Sequence, residues 1–313
     1  MVTDSDLPVI AYDVGGGHVS AALCRRDTPV PESVVSARYP HKVGAETFFQ
    51  LLHSLGVEAA GDVQSVGGAQ LAVPAPFDYE TGISRMTHKL PFLAGVDLRG
   101  ALAARFRWKP DQVRFLHDAA AFLLGEMVAG AARGSERAVG ITLGTGIGAA
   151  FSLSGRVITY GAGVPPDGEI WDLPFASGIF EDFLSARAIQ REYRRRTGSD
   201  REVIALAAAA DNDPAVRETF LDFGRCLGRA LRTLLADFSP NVVVLGGGIS
   251  HAARLFLPSA QCEMEGLTIR LEVSAMPDSA ALVGAAAAWF NGGEIAGNPY
   301  RESHSVPVKS DGA

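Results

Sequence analysis

Short β-prone runs and longer helical patterns of apolar residues alternate along most of the chain. Residues 8–12 and 19–24 are apolar and β-prone, and they flank a run of three glycines, Gly15 to Gly17. This pattern predicts two antiparallel strands joined by a glycine turn. Residues 139–150 repeat the pattern around a second glycine-rich bend. The repetition predicts two related lobes with a cleft between them.

Other segments have the spacing of helices or of buried strands, and their alternation predicts an α/β architecture. Helical spacing covers residues 45–55, 98–106, 119–130, 180–196, 202–210, 214–238 and 279–290. Further strands are predicted at 65–73, 157–160 and 242–245, and the last is apolar throughout, as is typical of a strand covered on both faces. Residues 77–82 are predicted to form a polar loop, 161–174 a long structured loop, and 303–313 a poorly ordered tail.

Composition and charge argue against several classes of protein. Of the 313 residues, 47% are hydrophobic and 20% are charged, and the net charge is −7. The basic cluster at 191–196 has the pattern of a solvated helix face, so nucleic acid is not expected as a partner. No apolar stretch is long enough to span a bilayer, and residues 1–7 lack the apolar run of a signal peptide. Three isolated cysteines indicate neither a disulfide framework nor a cysteine-rich zinc site, and a reducing cytoplasm is the expected location.

Two carboxylates stand beside predicted turns. Asp118 follows a short apolar run and precedes the alanine-rich helical pattern at 119–130. A carboxylate in this position serves either as a helix N-cap or as a general base near a phosphate. Asp13 ends the first strand, where it either faces a bound Mg²⁺ or belongs to an ordinary hairpin. The residues alone leave both pairs of alternatives open.

Four segments resemble, in the same order, the motifs of the ROK family of sugar kinases within the actin-like ATPase superfamily. Asp13–Gly17 resembles the first phosphate motif, and Leu143–Gly148 resembles the second. Val243–Gly248 resembles the adenosine-binding strand and turn. His117-Asp118-Ala119 stands where the family has Asn-Asp-Ala with a catalytic aspartate. The resemblance covers roughly residues 8–290.

This resemblance implies an α/β, two-lobed actin-like ATPase fold of the ribonuclease H-like type, with a central cleft. It divides the chain into a smaller N-terminal α/β domain, residues 1–117, and a larger C-terminal α/β domain, residues 118–290. Residues 291–313 are candidates to return to the smaller domain. A homodimer is expected, with no nucleic acid and no membrane among its partners.

The implied reaction is the ATP-dependent phosphorylation of a hydroxyl group on a hexose or hexose derivative, by analogy the primary hydroxyl. Asp118 would be the catalytic base, and Asp13 would hold Mg²⁺ through water. Glycine-rich turns would hold ATP, and the residues implied for this role are Gly15, Gly16, Gly17, Gly144, Thr145, Gly146, Gly246, Gly247 and Gly248.

Four residues are candidates for binding the sugar. Gly168-Glu169 resembles the start of the family's Gly-Glu-Ile-Gly-His segment, and Glu181 resembles the acid that closes its cysteine-rich segment. Lys89 and His117 stand where the family places neutral amides, so glucose is expected to be a poor substrate. The alternative for each acid is a solvated side chain, and Lys89 would alternatively pair with one of the two acids.

The chain also departs from the family pattern. Trp171 and Asp172 occupy the place of the family's histidine, and residues 172–179 contain no cysteine, so no zinc site is expected. Trp171 either stacks on a sugar face or fills the space of the missing segment. Gly17 replaces the usual threonine of the first phosphate motif.

These departures keep two alternative functions open: a catalytically weak sugar-binding or regulatory homologue, and a kinase that uses polyphosphate. The family's repressors carry an N-terminal helix-turn-helix. None is expected here, because the first strand begins near residue 8.

Overall fold

The computed structural model describes residues 7–40, 43–87 and 90–291. In chain order, its strands are β1 (Val9–Val14), β2 (His18–Cys24), β3 (Val35–Arg38), β4 (Gly68–Val73), β5 (Phe77–Asp78), β6 (Ile83–Ser84), β7 (Val113–His117), β8 (Arg137–Leu143), β9 (Ile147–Leu153), β10 (Arg156–Ile158), β11 (Pro174–Phe175), β12 (Gly178–Ile179), β13 (Val242–Gly246) and β14 (Arg270–Val273). The helices are α1 (Ala45–Ala60), α2 (Leu98–Phe106), α3 (Asp118–Ala129), α4 (Phe180–Phe183), α5 (Ala186–Thr197), α6 (Val203–Ala209), α7 (Pro214–Leu234), α8 (Ala253–Glu263) and α9 (Ala280–Phe290).

Two five-stranded sheets share one topology. Their strand orders are β3-β2-β1-β4-β7 and β10-β9-β8-β13-β14. In each sheet the first three strands in sequence are antiparallel, and two further strands are added in parallel. The predicted repetition of strand, glycine turn and strand is therefore confirmed: β1–β2 and β8–β9 occupy equivalent places in the two sheets.

Buried apolar side chains form a core on the outer side of each sheet and a third core between the sheets. The first sheet packs against α1 and α2, and the second packs against α7 and α8. The third core contains α3 and α9. No helix in the described part of the chain is both long enough and apolar enough to cross a membrane.

Helices α3 and α9 cross with their backbones in contact. A Cβ atom at Gly125 would collide with the carbonyl oxygen of Ala280, and one at Gly284 would collide with that of Ala121. Helix α3 follows the first sheet but contacts β8 and β9, whereas α9 follows the second sheet but contacts β1 and β4. The helix pair thus joins the two sheets. The domain division at residues 117 and 118 stays a prediction, and residues 292–313 lie outside the described residues.

Several predicted boundaries differ from the structure. The helix expected at 180–196 is broken into α4 and α5, because Leu184 and Ser185 leave helical geometry between them. Helix α7 ends at Leu234, short of residue 238. The expected polar loop at 77–82 was partly wrong, because Phe77 and Tyr79 are buried in the first core. Strands β3 and β14 and helix α8 were not predicted.

Candidate active site

Asp13 and Asp118 lie at the same edge of the first sheet. Asp13 is near the end of β1, and Asp118 follows the end of β7 directly. Both strands run parallel to β4, so their carboxyl ends share one edge. Burial, together with the negative charge of Asp118, raises the pKa of Asp13 from 3.8 to about 7. Burial and the charge of Asp13 also raise the pKa of Tyr39 above its usual range.

Asp118 is the first residue of α3, while His117 holds the N-cap position without a side-chain capping bond. The Oδ1 atom of Asp118 accepts a hydrogen bond of 2.8 Å from the amide of Ala119. The Asp118 side chain retains 30% of its exposure. Its carboxylate is therefore held at a helix N-terminus, which favours negative charge, and remains accessible to a ligand.

His117 contacts Glu169, a residue of the second half of the chain, at this sheet edge. The His117 side chain is buried, with Nε2 lying 3.1 Å from Asp118 Oδ1 and 3.4 Å from Glu169 Oε1. Its ring meets that of Tyr79 edge-on at 6.3 Å, and the Tyr79 hydroxyl donates to the carbonyl of Val73. Two of the predicted sugar-binding residues, His117 and Glu169, thus meet beside the predicted base.

The first glycine turn connects β1 to β2. The amide of Gly15 donates to the carbonyl of His18 at 3.0 Å, and the hydroxyl of Tyr39 donates to the carbonyl of Gly15. Cβ atoms added at Gly16 and Gly17 would meet nothing within 4 Å. The backbone at these two positions therefore borders open space, as a phosphate-binding turn requires.

The second glycine turn connects β8 to β9 and has Thr145 exposed at its tip. The amide of Gly144 donates to the carbonyl of Gly146 at 2.9 Å. The carbonyl of Gly144 accepts a bond of 2.8 Å from Ala186, the first residue of α5. The second glycine turn is therefore held by a hydrogen bond to the N-terminal end of α5.

Glu181 lies directly against this second turn. A Cβ atom at Gly146 would collide with the Glu181 carboxylate, so glycine is required there by close approach. The same carboxylate pairs with Arg187 at 2.9 Å, and the Glu181 amide donates to the carbonyl of Trp171 at 3.0 Å. Glu181 is thus placed beside the turn that is expected to bind phosphate.

The third glycine segment follows β13. Gly246 is the last residue of that strand, and Gly248 begins a short 3₁₀ turn. Gly247 has a φ of +80°, and a Cβ atom there would stand 2.5 Å from the carbonyl oxygen of Leu143. Only glycine fits this position, which brings the end of β13 against the second glycine turn.

An aromatic cluster occupies the segment where the family's zinc-binding cysteines would stand. Strands β11 and β12 form a short hairpin. The Phe175 ring packs edge-on against Phe180 at 5.4 Å and against Phe183 at 5.5 Å. Within residues 7–40, 43–87 and 90–291, no three His, Cys, Asp or Glu side chains are grouped to bind a metal ion. The absence of zinc stays a prediction.

Lys89 lies outside the described residues. Two residues that sequence reasoning missed also contact the predicted site: Tyr39 supports the Gly15 turn, and Arg187 pairs with Glu181. No local sequence pattern marked either residue as part of the site, because Tyr39 follows an unpredicted strand and Arg187 lies in an arginine-rich helix.

The chain resembles known proteins over most of its length. Residues 9–291 match the model of the ROK family. A glucokinase from Thermotoga maritima is 27% identical over 311 residues, which cover 90% of this chain and 96% of that protein. An N-acetyl-D-glucosamine kinase from Aliivibrio salmonicida is 26% identical over 267 residues, which cover 78% of this chain and 85% of that protein.

A crystal structure provides the comparison of folds. It is that of a ROK family glucokinase from Streptomyces griseus in complex with glucose and AMPPNP. It superposes on 90% of this chain and 98% of its own with a TM-score of 0.76 and 21% identity. The chain therefore has the expected two-lobed actin-like ATPase fold, and it belongs to the ROK family.

Proposed function

We propose that this chain is a sugar kinase that transfers the γ-phosphoryl group of ATP to a hydroxyl of a hexose or hexose derivative, in line with the carbohydrate kinases among its relatives. One observation carries the proposal. Asp118 lies at the edge of the first sheet beside Asp13, and its neighbour His117 contacts Glu169 from the other half of the chain. This arrangement supports a site in which Asp118 acts as the base and Glu169 lies close enough to take part in binding the sugar.

Asp118 is the proposed general base. Its carboxylate accepts the proton of the attacking hydroxyl, while the oxygen forms a bond to the γ-phosphorus and the bond from that phosphorus to the β,γ-bridging oxygen of ATP breaks. The hydrogen bond from the Ala119 amide at the start of α3 holds the Asp118 carboxylate in one orientation. By analogy with the family, the attacking oxygen is that of the primary hydroxyl.

The three glycine segments are the proposed nucleotide site. Cβ atoms added at Gly16, Gly17 and Gly144 would meet nothing within 4 Å, so phosphate oxygens have room to approach the backbone at these positions. Gly246, Gly247 and Gly248 lie at the end of β13, where the nucleoside would pack. Thr145 adds a hydroxyl donor at the tip of the second turn.

Asp13 fits a role in holding Mg²⁺, directly or through water. Its burial near Asp118 makes the ionised carboxylate unfavourable in the protein alone, and a nearby cation would reverse that penalty. A Mg²⁺ ion held there would neutralise negative charge on the phosphates of ATP. The protein's contribution is to hold the Asp13 carboxylate at the sheet edge, close to Asp118.

Glu169, Glu181 and His117 are the proposed sugar-binding residues, with Lys89 as a fourth. A carboxylate accepts hydrogen bonds from two neighbouring hydroxyls, and imidazole offers a donor or an acceptor. Glu169 already contacts His117, and Glu181 lies against Gly146. The sugar would therefore sit between the base and the second phosphate turn.

A coupled assay of phosphoryl transfer tests the function. Glucose, N-acetyl-D-glucosamine and N-acetyl-D-mannosamine are each offered with ATP or with polyphosphate. We expect turnover with ATP, and we expect Asp118→Asn to lower kcat by about 10²–10⁴-fold while nucleotide binding is retained. Asp62→Asn, at an exposed aspartate, is the matched control. Wild-type turnover in Asp118→Asn would show that Asp118 only supports the helix.

A further inference from the structure

One tryptophan differs from the other two in its surroundings. Trp108 stacks on Phe106 with ring centroids 4.2 Å apart, and the guanidinium of Arg114 covers the ring of Trp289 at 4.2 Å. Trp171 is 44% exposed, and its ring contacts no other aromatic ring or cation among the residues that the structure describes. Of the three tryptophans, Trp171 is therefore the one that leaves a large aromatic face open to solvent.

Trp171 directly follows a buried core residue. Ile170 is completely buried in the core of the second sheet. Glu169 has extended dihedral angles, with φ −83° and ψ 139°, and its side chain reaches His117. Trp171 follows Ile170 directly and, unlike it, keeps 44% of its exposure.

Trp171 also connects the two acids of the proposed sugar site. It follows Glu169 by two positions, and its carbonyl accepts the 3.0 Å hydrogen bond from the Glu181 amide. Leu173 closes a turn onto the carbonyl of Ile170 at 3.2 Å, which holds Trp171 at the bend. The backbone of Trp171 is therefore linked to both acidic residues, to Glu169 along the chain and to Glu181 by a hydrogen bond.

We propose that Trp171 is a sugar-binding residue that stacks against the apolar C–H face of a pyranose ring whose hydroxyls are held by Glu169 and Glu181. This inference rests on the proposed function. Pyranoses present polar hydroxyls around the ring edge and C–H groups on the ring faces, so an exposed aromatic residue whose backbone is linked to two acidic residues complements them. The ligand class is a six-membered sugar ring, in preference to an open-chain polyol.

Intrinsic fluorescence gives a direct test, because the chain has three tryptophans and the other two are packed in the protein. Glucose and N-acetyl-D-glucosamine are the probes, and sorbitol is the open-chain control. We expect a saturable change in emission with at least one pyranose, no change with sorbitol, and loss of the signal in Trp171→Phe. Trp108→Phe, the matched control, keeps it. A signal that persists in Trp171→Phe overturns the proposal.

Kinetics supply a second readout. Removal of the stacked ring in Trp171→Ala is expected to raise the sugar KM about tenfold, with kcat and the KM of ATP nearly unchanged. Trp171→Phe restores most of the affinity, because it keeps an aromatic face. An unchanged sugar KM in folded Trp171→Ala overturns the proposal.

The two hypotheses fail in different ways. If the protein shows no phosphoryl transfer but its Trp171 emission still responds to a pyranose, the kinase function fails and the stacking site stands. If phosphoryl transfer is observed, but substitution of Trp171 changes neither the emission response nor the sugar KM, the kinase function stands and the stacking site is overturned. The inactive Asp118→Asn variant should bind the pyranose with the same emission change.

Discussion

The imidazole of His117, at the end of β7, lies 3.4 Å from the carboxylate of Glu169, in the loop that follows β10. This contact joins the first sheet to the second half of the chain at the proposed catalytic edge. Nε2 of the same imidazole also lies 3.1 Å from the Asp118 carboxylate. His117 therefore contacts both the proposed base, Asp118, and a proposed sugar-binding residue, Glu169. Its side chain can thus affect the position of both carboxylates.

Replacement of His117 by Asn should separate these contacts. The amide is shorter than imidazole, so it remains beside Asp118 but does not reach Glu169. We expect the sugar KM to rise about tenfold, the loss typical of one hydrogen bond to a charged group, with the KM of ATP unchanged. Steady-state kinetics with each sugar of the panel provide the measurement. His53→Asn, at a half-buried histidine of α1, is the control.

The ratio of kcat/KM for glucose to kcat/KM for the other sugars tests whether His117 sets specificity. If His117 also sets specificity, His117→Asn should raise kcat/KM for glucose relative to the other sugars, because an amide stands there in the family pattern. An unchanged sugar KM together with an unchanged ratio would show that the contact with Glu169 has no part in sugar binding.

The sequence predicted those parts of the site that depend on local patterns. Both glycine hairpins, the junction at Asp118 and the strand before Gly246 follow from apolar periodicity and glycine placement over a few residues. The contacts of His117 with Glu169 and of Tyr39 with Gly15 could not be predicted, because they join distant segments through tertiary packing.

The missed elements have weak local signals. Strand β3 has alternating half-buried and exposed residues of low apolar content, and β14 is a short strand at the sheet edge. Helix α8 contains Pro258, which argues against a helix when the sequence is considered alone. In each case tertiary contacts outweigh the local preference.

The stability of the metal-free protein should depend on Asp13 and pH. The folded protein raises the pKa of Asp13 from 3.8 to about 7, so between these values the folded state binds more protons than the unfolded state. Stability from this group is therefore present at the acidic side of the window and is lost as pH rises through it. Asp13→Asn should remove that dependence. The free energy of unfolding of the variant should therefore increase relative to that of the wild type as the pH rises.

Urea unfolding of both proteins across this pH window, in chelator without nucleotide, measures the difference. Mg²⁺ with ATP should then stabilise the wild type more than Asp13→Asn, because only the carboxylate favours the cation. Parallel pH profiles for the two proteins would contradict the buried, charge-coupled state of Asp13.

The Phe175 cluster should stabilise its segment without metal. Phe175 contacts Phe180 and Phe183, so Phe175→Ala is expected to lower the free energy of unfolding by about 2 kcal/mol. Chelator treatment should leave the thermal transition of the wild type unchanged. Ile204→Ala, at a 76% exposed side chain, is the control for loss of a surface apolar group. Stoichiometric zinc in chelator-washed protein, measured by elemental analysis, would contradict this account.

The stability of the fold should depend on the close crossing of α3 and α9. Gly125 and Gly284 allow the two backbones to touch, and a Cβ atom at either position would collide with a carbonyl of the opposite helix. Gly125→Ala and Gly284→Ala should each lower the free energy of unfolding by about 1–3 kcal/mol, because the helices must move apart. Gly44→Ala, where a Cβ atom would meet nothing within 4 Å, should cost less than either, because it loses only the preference for glycine over alanine at the N-cap of α1. Urea unfolding measures all three.

The double variant tests whether both glycines act on one contact. A Cβ atom at Gly284 would stand 2.7 Å from the amide nitrogen of Gly125, so the two positions share the same crossing point. Once one alanine has separated the helices, the second meets less resistance, and the combined loss should be smaller than the sum of the single losses. Strict additivity would mean that each glycine strains its surroundings independently. Sub-additive loss would instead identify the α3–α9 crossing as a single close contact on which both sheets depend.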